Sequence, residues 1–480
     1  MSSIHRMDDT LYVPLSTPAH YLPPSALFFI LLNCTMGFFG LPKRKPRKCC
    51  SVNNEVFQCR FINGRLIILT ETEARYAEKA ERIATAIALQ EPDRVPFAPM
   101  TNAFFMLGYD INPYDVMMDF RNLIPGVKQY LEDYDPDGVS IAGLYGIPTL
   151  EAMGTNFINW PGPTSGLPLS ATFQHVDGTY LYDDEFNEYL SDPTHFTITK
   201  LLPRKHEHLK GLSKFNLRES FDTVFFNDLA LLADPELQES MAWLMQAGKN
   251  QGIRAKQLGE VMATITGEGY PILAQGTMCI PFDAYADSMR GIIRAVEDTY
   301  EFPDQLEAIL ERIGEMNVGR LLDVYQARGV KRVFIPLHCG VDEFMSDEAY
   351  KRFYWPGLKM SIEGAVDRGM EAWVFCEGRY NTRLEIISDV PKGKVTYCFE
   401  QVDIKRAKVT VGKVACICGN LSTTLLISGT PAEVERATKE QIDILAPGGG
   451  FIMNASIIID NAKHENYRVW RDTTLSYGEY

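Results

Sequence analysis

Short, continuously apolar runs bounded by turn residues recur along the chain and predict buried β-strands. A long polar interval separates the first two runs from the third, whereas the last five follow one another closely. The eight predicted strands span residues 94–100, 138–143, 270–276, 332–338, 371–377, 394–400, 414–420 and 450–456. Because the runs are apolar without alternation, they are typical of a parallel sheet covered by helices on both faces.

Helical patterns fill most of the intervals between the predicted strands. The last of them opens with a capping box, Thr430 to Glu433, that has a proline at its first helical position. The predicted helices span residues 70–90, 283–296, 303–327, 346–367 and 430–444. Strands alternating with helices predict an α/β fold, a (βα)8 TIM barrel, since eight strands close such a sheet. A doubly wound open sheet would show a similar alternation.

The alternation is interrupted by residues 155–258, which are polar and rich in turn-forming residues. They predict an insertion after the second strand that forms helices and caps the mouth of the barrel. We therefore divide the chain into an atypical N-terminal extension, residues 1–68, and a barrel domain, residues 69–480.

The N-terminal extension is first apolar and then basic. Residues 26–41 form an apolar stretch, and residues 43–48 form a basic run. The alternatives are a membrane anchor, a signal peptide and an extension outside the fold. We favour the last, because sixteen apolar residues fall short of the ~20 that span a bilayer. A signal peptide would also carry its basic residues before the apolar segment.

Composition and charge limit the classes of protein and of binding partner that fit this sequence. The 480 residues are 46% apolar and 23% charged, which excludes a disordered or fibrous protein. The net charge is −15, although residues 1–65 are basic, so the remaining body is strongly acidic and excludes nucleic acid as a partner. Ten cysteines scattered over so long a chain predict free thiols and a cytoplasmic location. Membrane contact is expected only if the extension is an anchor.

Polar residues occupy the carboxyl ends of the predicted strands, where barrel enzymes carry their chemistry. A glutamate there provides a general acid or base, and an arginine binds carboxylate or phosphate. The predicted catalytic residues are Glu377, His338 and Asp342, and the predicted substrate-binding residues are Asn102, Arg379, Tyr380, Glu400, Asp403, Asn420 and Asn454.

The catalytic candidates each have a structural alternative. His338 and Cys339 are adjacent, but neighbouring strand side chains point to opposite faces, so a hydrogen-bonded histidine is favoured over a metal pair. Glu377 is a candidate metal ligand together with His338. Glu377 and Arg379 are also compatible with a salt bridge at the barrel rim.

Other polar residues also have structural alternatives. Glu400 and Asp403 are placed to cap the helix that follows them, because carboxylates favour a helix N-terminus. Cys416 and Cys418 share one face of a strand, where they either bind a soft metal or pack in the core, and core packing is favoured.

Several segments resemble the uroporphyrinogen decarboxylase superfamily, and the resemblance extends from about residue 70 to residue 480. The segments are Arg82–Ile87, Pro92–Pro96, Pro281–Asp283, Met289–Gly291, Gly419–Ser422, Gly429–Val434, Gly448–Ile452 and Glu465–Asn466. The resemblance implies a (βα)8 barrel. The superfamily contains porphyrinogen decarboxylases and zinc-dependent corrinoid and coenzyme M methyltransferases.

The chain resembles a divergent branch of this superfamily. Residues 100–109 lack the cations that decarboxylases carry after the first strand, and Glu377 stands where methyltransferases have a zinc-binding cysteine. The resemblance implies a methyltransferase for a small methylated substrate, with a corrinoid or thiol acceptor. Zinc at Glu377 and His338 and a corrinoid partner protein are implied cofactor alternatives. Uroporphyrinogen decarboxylation and a non-catalytic binding barrel are the alternative functions, and a homodimer stays open.

Overall fold

The computed structural model describes residues 48–52, 55–62, 65–141, 143–217 and 222–480. The predicted apolar stretch and nearly all of the basic run that follows it lie outside the described residues. The chain divides between Ala74 and Arg75 into two compact units. None of the described helices is both long and apolar enough to cross a membrane.

The first unit contains a three-stranded antiparallel sheet in which β2 pairs with both neighbours. Its strands are β1 Lys48–Val52, β2 Glu55–Ile62 and β3 Arg65–Thr70. We predicted no strand here, because the sequence analysis treated this stretch as part of the extension.

The second unit is built on a six-stranded parallel sheet with the order β11-β10-β9-β8-β7-β6. Its strands are β6 Gly276–Thr277, β7 Arg332–Leu337, β8 Glu371–Arg379, β9 Val395–Gln401, β10 Cys416–Cys418 and β11 Phe451–Ile452. A two-stranded antiparallel ribbon, β4 Ile158–Asn159 and β5 Gln174–His175, lies in the predicted insertion. The parallel sheet confirms the predicted α/β fold.

Helices connect the strands of this sheet, and several predicted helices are divided into shorter ones. The predicted helix 283–296 starts in α11 and continues as a π-helical segment, Ala286–Arg290, which ends at Gly291 before α12 begins. The described α-helices are α1 Glu71–Ile87, α2 Phe104–Leu107, α3 Pro113–Met118, α4 Ile124–Tyr134, α5 Ile147–Met153, α6 Phe186–Ser191, α7 Pro193–Phe196, α8 Leu202–Lys205, α9 Asp222–Asp228, α10 Pro235–Gly267, α11 Pro281–Tyr285, α12 Ile292–Glu301, α13 Pro303–Ile313, α14 Gly319–Ala327, α15 Asp347–Ala349, α16 Trp355–Asp367, α17 Ile404–Val409, α18 Thr423–Ser428, α19 Pro431–Leu445 and α20 His464–Tyr477. The predicted capping box forms at the start of α19.

In their described residues, the first two predicted strands, 94–100 and 138–143, are not regular strands. They make isolated parallel bridges, Phe97 with Met453 and Val139 with Ile272. The prediction of eight regular strands is therefore wrong in detail, and six are observed.

Side chains interrupt the ladder beside the first predicted strand. The Asp137 carboxylate accepts a hydrogen bond from the Phe97 amide at 2.8 Å. The Asn454 side-chain oxygen accepts one from the Met100 amide, also at 2.8 Å. These acceptors replace the carbonyl groups of a neighbouring strand, so the segment makes single bridges in place of a continuous ladder.

One face of the parallel sheet packs into a buried cluster that includes Trp373, Phe375, Cys398, Cys416 and Cys418. Both cysteines of β10 are fully buried in this cluster, which confirms core packing for them. Residues two apart on a strand share this face. On β8 and β9, the side chains two residues after the last members of the cluster therefore lie on the same face, at the carboxyl edge of the sheet.

Candidate active site

The imidazole of His338, directly after β7, is the centre of the candidate site. Its Nδ1 lies 2.6 Å from Oδ2 of Asp287, and its Nε2 lies 3.7 Å from Oε1 of Glu377. The His338 side chain is 31% exposed and the Glu377 side chain 40% exposed. A substrate in the open part of the site can therefore approach Nε2, while Nδ1 is occupied by Asp287.

The insertion fixes the π-helical segment that carries Asp287. The Lys205 ammonium group donates to the Ser288 carbonyl at 3.0 Å, and the Tyr180 amide donates to the Met289 carbonyl at 2.8 Å. Because these carbonyl groups lie within the segment Ala286–Arg290, the insertion holds the backbone that carries the Asp287 carboxylate.

A second aspartate, Asp283 on α11, lies beneath the histidine. It is fully buried. Its Oδ2 accepts from the His338 amide at 3.1 Å and from the Tyr354 hydroxyl at 2.8 Å, and its Oδ1 accepts from the Cys339 amide at 3.1 Å. Asp283 therefore binds the main chain of the histidine, whereas Asp287 binds its ring.

Charge keeps His338 protonated. Burial lowers the pKa of this imidazole, but the hydrogen bond that it donates to Asp287 and the charges of Asp283, Asp287 and Glu377 outweigh burial and raise the pKa to about 9. At neutral pH both ring nitrogens carry protons, one donated to Asp287 and one on the Glu377 side. The site therefore holds an imidazolium with an available proton on Nε2.

Two carboxylic groups of the site, Asp283 and Glu377, have raised pKa values. Burial raises the pKa of Asp283 to about 6, since the attraction of His338 only partly compensates. Burial likewise raises the pKa of Glu377, and the nearby charges of Asp283, Glu400 and Asp287 raise it further against the lowering effect of His338. The site is richer in carboxylates than in cations.

Glu400, at the end of β9, is tied to the neighbouring strand. Its Oε2 accepts from the Gly378 amide at 2.6 Å. Gly378 has φ +77, and a Cβ there would lie 2.6 Å from Val341, so this approach requires glycine. Glu400 supports the loop after Glu377 and does not cap the following helix. Asp403 does cap it, accepting from the Lys405 amide at 3.0 Å, which confirms the capping alternative for that residue.

The other candidates after β7 and β8 are bound within loops. The Asp342 carboxylate accepts from the Asn381 amide at 2.8 Å and from the Thr382 hydroxyl at 3.0 Å, so it joins the two loops. Arg379 is 54% exposed and pairs with Glu343 at 2.9 Å, which is the rim salt bridge of the alternative, formed with a different glutamate.

Tyr380 is fully buried, and its hydroxyl lies close beneath Gly340. It therefore supports the loop after β7 from inside the protein. The asparagines also bind backbone. Asn420 donates to the Glu400 carbonyl at 3.3 Å, and Asn454 accepts from the first predicted strand as described above. The main-chain amide of Asn102 donates to the Ile459 carbonyl at 3.0 Å.

Sequence reasoning missed three residues of the site. Asp283 lies in a segment that carried the resemblance, and Asp287 follows four residues later, but neither stands at a strand end. His175, on β5, packs edge-on against Phe173 with ring centroids 5.4 Å apart. Burial and the charge of His338 lower the pKa of His175, whereas Asp287 raises it, so this ring lies within electrostatic range of the same pair.

The donor set does not fit the zinc site that the resemblance implies. Nδ1 of His338 is bonded to Asp287, and the thiols of Cys339 and Cys376 are fully buried. Nε2 of His338 and the Glu377 carboxylate remain, together with the exposed Cys279, whose thiol has its pKa raised to about 12 by desolvation and by the nearby Asp283 and Asp287. In the described residues, no three His, Cys, Asp or Glu side chains are grouped as a metal site. Zinc–thiolate chemistry therefore finds no set of ligands here.

Residues 252–474 match the family model of uroporphyrinogen decarboxylase (URO-D). Over these residues, just under half of the chain, the sequence is similar to the uroporphyrinogen decarboxylase family. The match covers β6 to β11 and all four acidic residues around His338, and it confirms the resemblance stated above.

Among solved structures, the chain is similar to a methyltransferase from Methanosarcina mazei, with a TM-score of 0.53 and 16% identity over 83% of this chain and 98% of that one. At this identity the similarity concerns the fold alone. A weaker similarity, TM-score 0.25 and 13% identity, links 45% of the chain to 82% of a 3-keto-D-glucoside 4-epimerase from E. coli. No curated protein matches the sequence significantly.

Proposed function

We propose that this protein is an enzyme of the uroporphyrinogen decarboxylase superfamily that transfers a methyl group from a small methylated substrate to a thiol or corrinoid acceptor. His338 is its general acid. The observation that carries the proposal is the placement of His338, with Nδ1 bonded to Asp287 at 2.6 Å and Nε2 turned towards the exposed Glu377. A corrinoid partner protein, a homodimer and a cytoplasmic location remain predictions.

The proposal includes a closed (βα)8 barrel. Parallel bridges between Phe97 and Met453 and between Val139 and Ile272 support closure on both sides of the six-stranded sheet. The Asp137 amide also donates to the Phe97 carbonyl at 2.7 Å, which links the two remaining segments. In a closed barrel the carboxyl ends of β7, β8 and β9 surround one opening, and the substrate binds there.

The transfer breaks the bond between the methyl carbon and the heteroatom of the substrate. The acceptor, either cob(I)alamin or a thiolate that has already released its proton to solvent, supplies the electron pair of the new bond to carbon, and the heteroatom keeps the pair of the old bond. His338 gives its Nε2 proton to that heteroatom, which leaves as a neutral alcohol, thiol or amine. Asp287 then faces a neutral imidazole, which regains a proton from water. General acid catalysis of this kind contributes about 10²- to 10⁴-fold.

Glu377 supports this step by orienting the Nε2 proton and by disfavouring anionic substrates. A porphyrinogen with many carboxylates would meet Asp287, Glu377 and Glu400 at the same edge. Arg379 is occupied by Glu343. The charge of the site therefore favours a neutral or cationic methylated compound over a polycarboxylate.

The test is methyl transfer by the purified full chain. Ethers, thioethers and amines with a ¹³C-labelled methyl group are incubated with coenzyme M or cob(I)alamin, and the product is followed by NMR. We expect His338→Gln to reduce the rate about 100-fold or more. His195→Gln, an exposed histidine in the insertion, is the matched control and should keep the wild-type rate.

Two outcomes would contradict the proposal. An undiminished rate in His338→Gln would remove the general acid. Release of carbon dioxide from uroporphyrinogen without any methyl transfer would establish the decarboxylase alternative instead.

A further inference from the structure

We propose that Asp283 is a positioning residue for His338, acting through the backbone at the end of β7. The inference rests on the proposed function only for its catalytic consequence, because the contacts themselves are structural. Asp283 is not among the residues that the sequence analysis predicted, and it does not face the opening.

The hydrogen bonds of Asp283 define the role. Two consecutive main-chain amides, those of His338 and Cys339, donate to its two oxygens, both at 3.1 Å, and the Tyr354 hydroxyl donates at 2.8 Å. No arginine or lysine of the described residues forms an ion pair with this carboxylate. A fully buried carboxylate held by neutral donors is costly to maintain. Its contacts fix the first two residues after the strand.

The geometry connects Asp283 with Asp287. The two aspartates are four residues apart on α11 and the π-helical segment that continues it, so they lie about one helical turn from each other. One binds the main chain of His338 and the other binds its ring. A shift of the His338 backbone would therefore change the 2.6 Å contact between Nδ1 and Asp287.

Other charged groups also act on this imidazole. Glu377 on β8 lies beside Nε2, and His175 on β5, in the insertion, lies within electrostatic range of the ring. Lys205 on α8 acts on Asp287 from the same side. The experiment must therefore separate the effect of Asp283 from that of these groups, which the variants below leave unchanged.

The experiment is NMR of the full chain with ¹⁵N-labelled histidine, with His338 assigned by its loss in His338→Gln. In the wild type we expect a strongly hydrogen-bonded Hδ1 signal. In Asp283→Asn we expect this signal to shift or vanish and the proton affinity of His338 to fall about tenfold. Tyr354→Phe keeps both amide contacts and should keep the Hδ1 signal. Asp137→Asn, which also removes a fully buried charge, is the control for general destabilisation.

An unchanged Hδ1 signal and His338 titration in folded Asp283→Asn would overturn the inference. If that variant does not fold, the wild type still provides a test. The amide ¹⁵N shifts of His338 and Cys339 should then titrate together with a midpoint of about 6, the pKa of Asp283. Independent behaviour of the two amides would refute the positioning role.

The two proposals can fail separately. If the wild type transfers no methyl group, the coupling between Asp283 and His338 remains measurable. If methyl transfer is found, Asp283→Asn should lower the turnover number and leave KM unchanged, because Asp283 does not contact the substrate.

Discussion

Two fully buried aspartates, Asp137 and Asp283, differ in how their carboxylates are stabilised inside the protein. Asp137 lies before the second predicted strand and binds Arg82 and Arg94 through contacts of 2.6 Å, with a further hydrogen bond from the Phe97 amide. Asp283 lies after β6 and accepts from two amides and a tyrosine, and no arginine or lysine of the described residues pairs with it.

The pKa values follow this difference. Burial raises the pKa of Asp137, but Arg94 and Arg82 outweigh burial and lower it. Burial raises the pKa of Asp283 to about 6, since no arginine compensates. The first carboxylate holds the fold together through paired charge. The second is kept at some cost beside a histidine, as is typical of functional sites.

The largest expected effect is on folding. Asp137→Asn leaves two buried arginines without their partner, so we expect a loss of about 3–5 kcal/mol in the free energy of unfolding. Asp283→Asn leaves one amide donor unsatisfied and should cost about 1–3 kcal/mol. Urea unfolding of the two variants beside the wild type measures both values. Equal losses in the two variants would mean that the two aspartates contribute equally to the free energy of unfolding, which would contradict the comparison.

The contributions of the two aspartates to the free energy of unfolding should change with pH in opposite directions. Because the folded-state pKa of Asp137 is lowered, its contribution is present above the unfolded pKa of about 4 and is lost as pH falls below it. Because the pKa of Asp283 is raised to about 6, its contribution is present below pH ~4 and is lost as pH rises to about 6.

Unfolding of wild type and of both variants at pH 4, 5, 6 and 7 measures these profiles. The stability advantage of the wild type over Asp283→Asn should shrink between pH 4 and 6, whereas its advantage over Asp137→Asn should not. Parallel profiles for the two pairs would show that Asp283 ionises like an ordinary aspartate.

The smallest effect is expected at the rim. Arg379→Met removes an exposed ion pair with Glu343 and should change the free energy of unfolding by less than about 1 kcal/mol. High salt should abolish even this difference. A loss comparable to that of Asp283→Asn would indicate that Arg379 has a role in the fold that its exposure does not suggest.

Local sequence was sufficient for elements whose stability is local. The capping box of α19 and the continuous apolar runs of β7, β8 and β9 identified these elements close to their observed bounds. The first predicted strand is not regular because the Asp137 and Asn454 side chains accept its ladder hydrogen bonds. No periodicity within this segment indicates an acceptor on a distant one.

The residues of the candidate site likewise fall into those that the sequence predicted and those that only the structure revealed. The rule that barrel chemistry lies at strand ends found His338 and Glu377, which the structure places 3.7 Å apart. The same rule selected Asp342 and Arg379, whose charges are taken up by neighbouring loops. It missed Asp283 and Asp287, because they lie on α11 and the π-helical segment after it. Only tertiary packing brings these elements next to the end of β7.

By itself, the sequence determined the α/β class, the resemblance of residues 252–474 to the uroporphyrinogen decarboxylase family, and two strand-end side chains, His338 and Glu377, that lie side by side. Apolar periodicity and strand ends depend on neighbouring residues. Tertiary structure alone decided which carboxylates surround the histidine and which are paired with arginine. The physical reason is that the charge of a buried group depends on donors and cations from distant segments, which approach it only when the chain has folded.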